Sequence, residues 1–178
     1  MSFQKLARFL VCYIKKFMAT IDIVVETPKG SAQKYDYEAE THFFKLSKIL
    51  PSGMIFPFDF GFIPETRGAD GDPIDIIMIS ELASFPGCKI KCRLIGGFKA
   101  KQSGERKKKM VRNDRYFAVP ECSVMYKHVK TLKDLPAEII KQVESFFIDY
   151  NKIEEKEFKV ISQMQPKEAE QIIHKNRT

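Results

Sequence analysis

The apolar positions along the chain change period once. From Ile21 to Val119 they alternate with polar residues or gather into short runs, the spacing of strands. Ile21 to Val25 reads as a strand, and Pro28-Lys29-Gly30-Ser31 is a turn into Lys34-Tyr35-Asp36-Tyr37, where aromatics alternate with charges. That succession predicts a hairpin, and Phe43, Phe44 and Leu46 continue the apolar pattern. From Met54 to Pro64 the chain is unusually aromatic; its prolines limit any strand to short pieces, and no helix fits there. Ile76 to Ile79 is an unbroken β-branched and Met run, which predicts a strand buried on both faces. Pro86-Gly87 turns the chain into another strand over Lys89–Phe98, Ser103-Gly104 opens a charged loop, and Tyr116 to Val119 is a strand that stops at Pro120.

Beyond this point the period becomes helical. Leu135-Pro136 starts a helix that carries Ile139, Ile140, Val143, Phe146, Phe147 and Tyr150 on one stripe, and Pro166 to Lys175 predicts a shorter helix anchored by Ile172 and Ile173. A run of short strands followed by helices implies an α+β, mainly β chain: a small barrel with helices on its outside.

Composition narrows the picture without changing it. At 178 residues and 44% apolar content, one domain with a real core is expected, and no stretch reaches the roughly 20 apolar residues of a membrane span. Residues 1–17 are read as an N-terminal extension, disordered or helical, and 18–178 as the single domain. The apolar stretch Phe9 to Ile14 is too short for a secretory signal and is followed by Lys15-Lys16, so export is discounted and a cytoplasmic location expected. Cys12, Cys88, Cys92 and Cys122 show neither C-x-x-C spacing nor paired histidines, which argues against zinc and for reduced thiols. His42, His128 and His174 lack ligand spacing and are read as surface or packing residues.

The net charge of +7 points to anionic partners, and the charge is uneven. Arg106 to Lys109 with Arg112 and Arg115 form a basic cluster, whereas Asp70, Asp72 and Asp75 crowd three carboxylates ahead of the buried run. Such carboxylates repel one another at neutral pH unless a cation neutralises them. Mg²⁺ suits the task, since it takes a few carboxylates plus waters plus substrate phosphates. Gly71 permits a tight path and Pro73 stiffens it. An EF-hand is excluded, although Glu81 falls at the twelfth position from Asp70, because Asp75 occupies the place that loop needs for glycine.

Phe56-Pro57, Gly61-Phe62-Ile63-Pro64 and Asp70-Gly71-Asp72-Pro73-Ile74-Asp75 together resemble the soluble family I inorganic pyrophosphatases, and the likeness runs from about Ile23 to Phe158. The resemblance implies an OB-like five-stranded barrel with flanking helices. It further implies a Mg²⁺-dependent enzyme that hydrolyses pyrophosphate to two phosphates by metal-activated water, without a covalent intermediate, as a homo-oligomer with no nucleic-acid or membrane partner. By the same resemblance Asp72 orients and deprotonates the attacking water, and Asp70 and Asp75 bind metal. Lys34, Lys48, Arg115 and Tyr150 hold phosphate oxygens, and Glu26 and Asp36 form an outer acidic ring.

The chain also departs from the family pattern. Lys48 stands for an Arg, which keeps the charge and loses the bidentate fork. Phe60 replaces a Tyr, Asn151 a Lys and Arg115 a Lys. Lys101-Gln102 stand where one Asp of a second acidic pair is expected, and Asn113 or Asp114 where the other is; Asp114 is the residue assigned as ligand. Two rival readings follow: a family member with impaired catalysis, and a basic OB-like domain that grips nucleic acid through the Arg106 to Arg115 run.

Overall fold

A computed structural model describes residues 20–104 and 109–178 of the chain. The N-terminal extension, Cys12 and Arg106 to Lys108 of the basic cluster lie outside the described residues.

Among the described residues nine strands and two helices follow in order. They are β1 (Thr20–Thr27), β2 (Gln33–Glu38), β3 (Phe43–Ile49), β4 (Asp59–Ile63), β5 (Ile74–Met78), β6 (Lys89–Ser103), β7 (Met110–Arg112), β8 (Arg115–Pro120), α1 (Ala137–Ile153), β9 (Phe158–Met164) and α2 (Pro166–Lys175). In the main sheet β1 pairs with β4, β4 with β5, β5 with β8, β8 with β6, and β6 returns to β1. Five strands thus close on themselves, the OB-like ring that the resemblance implies. β6 is long enough to pair with β1 near its start and with β7 and β9 near its end.

Closure requires β6 to bend, and the bend falls at a register shift between Leu94 and Gly96. Gly96 has φ +131°, and a Cβ there would lie 2.5 Å from the Met164 carbonyl oxygen, so only glycine fits.

Strands β4, β5 and β8 are buried on both faces, which explains their unbroken apolar sequences. One face carries Phe60, Ile77, Ile79, Phe117 and Val119 and packs with Ile140, Val143, Phe146 and Phe147 of α1. The other carries Ile74, Ile76, Met78, Tyr116 and Ala118 and packs with Ala169 and Ile173 of α2. The two helices predicted from the 3.6-residue period therefore sit where that period requires, each with its stripe on the ring.

Three elements differ from expectation. β1 does not form a hairpin with the next strand, because both of its edges are taken by β4 and β6. Instead β2 pairs with β3 in a separate ribbon. The ribbon is held to β1 by side chains: Tyr37 N–H donates to Glu26 Oε1 at 2.9 Å and Tyr35 N–H to Thr27 Oγ1 at 3.1 Å. Finally, β7 and β9 are added strands, too short or too weakly alternating to announce themselves.

Candidate active site

The acidic loop joins β4 to β5. Thr66 pins it at both ends, its hydroxyl donating to the Ile63 carbonyl at 2.6 Å and accepting the Ile74 N–H at 3.0 Å. Gly68 N–H closes onto the Asp72 carbonyl at 2.7 Å, and Gly71, at φ +99°, reverses the chain between Asp70 and Asp72. Both of these aspartates are exposed, while Asp75, the second residue of β5, is half-buried. Among the described residues no protein donor bonds the Asp72 carboxylate.

Asp75 borders two cavities. The first, about 390 Å³, brings Asp72 and Asp75 together with Glu26, Lys34, Asp36, Arg115 and Tyr150. Phe56, Phe60, Phe62 and Phe147 form its apolar wall, and Gln102, Asn151 and Glu154 complete its rim. The second, about 380 Å³, holds Asp70, Asp75, Asn113 and Asp114 beside α2. The sequence-assigned residues are therefore divided: Asp72, Lys34 and Arg115 share one hollow, Asp70 and Asp114 the other, and Asp75 belongs to both.

The cations are held by distinct means. Lys34 is buried; its ammonium donates to Asp36 Oδ1, to the Tyr35 carbonyl at 2.7 Å and to Glu26 Oε2 at 3.4 Å, and lies 5.2 Å from the Phe60 ring centre. Arg115 pairs with Asp75 Oδ2 and donates to Asn113 Oδ1, and to Gln102 Oε1 at 3.3 Å. Lys48 lines neither cavity; it pairs with Glu154 and stands 5.1 Å over the Tyr150 ring. Asp114 accepts Ala100 N–H at 3.1 Å and Arg112 Nε–H at 2.8 Å.

Burial raises the Asp75 carboxyl above its usual range, against the pull of Arg115 and Lys34, and Asp70 and Asp72 push it the same way as burial. Burial likewise raises Glu26 despite Lys34 and the Tyr37 N–H. For Asp36 burial is the largest single push and acts upward, but the Lys34 bond and charge, the Ser47 hydroxyl and Lys48 together outweigh it, and the carboxyl sits below its usual range. Burial raises the Tyr150 phenol and lowers the Lys48 ammonium.

This donor set fits Mg²⁺. It offers hard carboxylate oxygens, with Asp70 and Asp72 exposed enough to leave room for water and substrate oxygens. Among the described residues no three His, Cys, Asp or Glu side chains gather into a ready-made cage, a cage that Mg²⁺ seldom uses.

Of the basic cluster, Arg115 is buried and turned from solvent, which takes it out of the surface that the nucleic-acid reading needs, whereas Arg112 stays at the surface, paired with Asp114. Glu154 is a rim residue that sequence reasoning missed; its place one turn after Tyr150 was the available signal. No helix of the described residues is long and apolar enough to cross a membrane.

Comparison with known proteins adds relatives over nearly the whole chain. The inorganic pyrophosphatase family profile matches residues 23–178. The inorganic pyrophosphatase of Synechocystis sp. is 35% identical over 136 residues, 76% of this chain and 77% of that one. That of Geobacillus stearothermophilus is 32% identical over 153 residues, 86% of this chain and 89% of the relative. In three dimensions the chain superposes on the crystal structure of the Thermus thermophilus inorganic pyrophosphatase with TM-score 0.79 at 27% identity, covering 87% of both chains. The Neisseria gonorrhoeae inorganic pyrophosphatase gives TM-score 0.78 at 30% identity over 88% of both.

Proposed function

This chain belongs to the inorganic pyrophosphatase family and acts on pyrophosphate, and we propose that the reaction takes place in the cavity shared by Asp72, Asp75, Lys34, Arg115 and Tyr150. The observation that carries the assignment is the meeting, in one hollow, of the unbonded Asp72 carboxylate with the cations Lys34 and Arg115. A diphosphate is too anionic to enter without such cations, and water is too weak a nucleophile without a base.

In this reading Lys34, Arg115 and the Tyr150 hydroxyl hold phosphate oxygens, and Asp72 accepts a proton from the attacking water. Displacement at phosphorus is direct, with no covalent enzyme intermediate. Mg²⁺, held by Asp70, Asp75 and Asp114, would supply Lewis acidity and neutralise phosphate charge. Glu26 and Asp36 hold the Lys34 ammonium in place beside the cavity. Lys48 reaches substrate only by leaving Glu154, so its contribution is smaller than that of Lys34.

Phosphate release from pyrophosphate, measured with and without Mg²⁺, tests the assignment. Release should require the cation, and Asp72→Asn should lower kcat by about 10²–10⁴-fold. Unchanged turnover in that variant rejects the role of Asp72. Slow turnover in the wild type would favour the impaired reading, which is supported by the engagement of Arg115 with Asp75.

Residues 18–178 are taken to work as one domain in the cytoplasm, and self-association is supported by apolar side chains left in solvent. Phe43 is 73% and Ile49 70% exposed on the β2–β3 ribbon. Sedimentation should therefore report a homo-oligomer; a monomer at every concentration would remove that assignment.

A further inference from the structure

Arg115 is the most enclosed cation of the cleft, 5% exposed, and its Nε is a buried donor without a partner among the described residues. Its guanidinium lies 5.3 Å over the Phe147 ring and 5.7 Å over the Phe158 ring. The remaining nitrogens are committed to Asp75 Oδ2, the Asn113 carboxamide oxygen and the Gln102 carboxamide oxygen. Asn113 Nδ2–H in turn donates to Gln102 Oε1 at 3.2 Å, so the two amides form one clamp around the guanidinium.

Arginine keeps its charge at any pH the protein meets, and a buried guanidinium held between two aromatic rings and three oxygen partners is costly to move. Lys34, the other buried cation of this cavity, is bonded to Glu26 and Asp36 and not to Asp75. Arg115 is thus the fixed neutraliser of Asp75, and one of the two Asp75 oxygens is already spent on it. A divalent ion that approaches Asp75 in the empty cleft meets a carboxylate whose charge is compensated and a guanidinium that repels it. The balance changes when a diphosphate enters, since it brings the negative charge that the Asp75–Arg115 pair lacks.

We propose that Arg115, clamped by Gln102 and Asn113, is a resident counter-ion that suppresses divalent-cation binding at Asp75 in the empty protein and so couples cation loading there to the arrival of the diphosphate. Arg115 acts here as a positioning residue for Asp75. The proposal rests on the reading of this cavity as the diphosphate site, but its test reads cation binding and not turnover.

Isothermal titration of the full chain with Mn²⁺, alone and with a non-hydrolysable bisphosphonate, measures the coupling. The wild type should bind Mn²⁺ weakly alone and at least about tenfold more tightly with the bisphosphonate. Arg115→Gln should raise affinity in the absence of bisphosphonate by about tenfold and shrink the coupling, whereas Arg115→Lys, which keeps the charge, should stay close to wild type. A folded Arg115→Gln protein that binds Mn²⁺ no more tightly than wild type overturns the proposal. Should that variant not fold, the double variant Gln102→Ala, Asn113→Ala frees the guanidinium from partly exposed positions; its affinity for Mn²⁺ alone should rise about threefold, and an unchanged value is equally fatal. If Mn²⁺ behaves as expected while pyrophosphate is not hydrolysed, it is the catalytic reading that fails and the counter-ion role that stands.

Discussion

Lys34 serves two carboxylates at once, and removing it separates binding from architecture. Lys34→Met leaves Glu26 buried beside Asp36 with no cation between them, so Glu26 moves further above its usual range. The variant should raise KM for pyrophosphate by about tenfold or more with a smaller change in kcat, which steady-state kinetics will show. Elsewhere Glu81 performs a purely structural task. Its Oε1 accepts the Met125 N–H at 2.6 Å, the Val124 N–H at 2.7 Å and the Ser123 hydroxyl at 2.9 Å, and these bonds, Met125 first, hold the carboxyl below its usual range. A depressed folded value means that the contribution is complete above the unfolded pKa of about 4.3 and is lost as pH falls through the lower folded one. Thermal melts should show Glu81→Gln less stable than wild type at neutral pH, with the gap closing in acid.

At this scale the acidic triad was legible because its members lie together in the chain. The pairing of Asp75 with Arg115 was not, because it arises from the parallel β5–β8 ladder, where Ile76 stands opposite Tyr116. No local pattern announces which distant strand will lie alongside. The division of Asp70 and Asp72 between two hollows is hidden for a related reason: it depends on the hand of a turn at Gly71 and not on spacing.

Among the elements, the helices and the doubly buried run of β5 were readable from period alone, whereas the burial of β4 and β8 on both faces was not. The misplaced hairpin shows what period omits. Alternation identifies a strand but not its neighbour, and β1 had no edge to offer β2. The bulge in β6 is another such feature, and it is open to test. Gly96→Ala places a methyl against the Met164 carbonyl at a left-handed φ, and should cost about 2 kcal/mol or more in urea unfolding. Truncation of Phe147 tests the α1 side: Phe147→Ala opens a cavity under Arg115 and should cost about 3–5 kcal/mol, with a fall in activity from the loosened guanidinium.

For the molecule as a whole, the fold class and the reaction followed from a few motifs, while cation coupling needed the assembled cleft. Linkage makes that coupling visible as stability. Mg²⁺ and a bisphosphonate together should raise Tm by more than the sum of their separate effects, since each completes the other's site. Simple additivity in scanning calorimetry would count against a shared site.

The closing strand of the ring also dictates a timetable. β1 finds its second edge only in β6, with Thr20 opposite Arg93, and β6 meets its last partners in β9 near the far end of the chain. During synthesis the early strands must wait with open edges until most of the polypeptide has left the ribosome, a non-local order of assembly that slows folding. Chaperone capture of nascent chains should therefore be heaviest before β6 emerges, and shortened products ending ahead of it are the ones prone to aggregate.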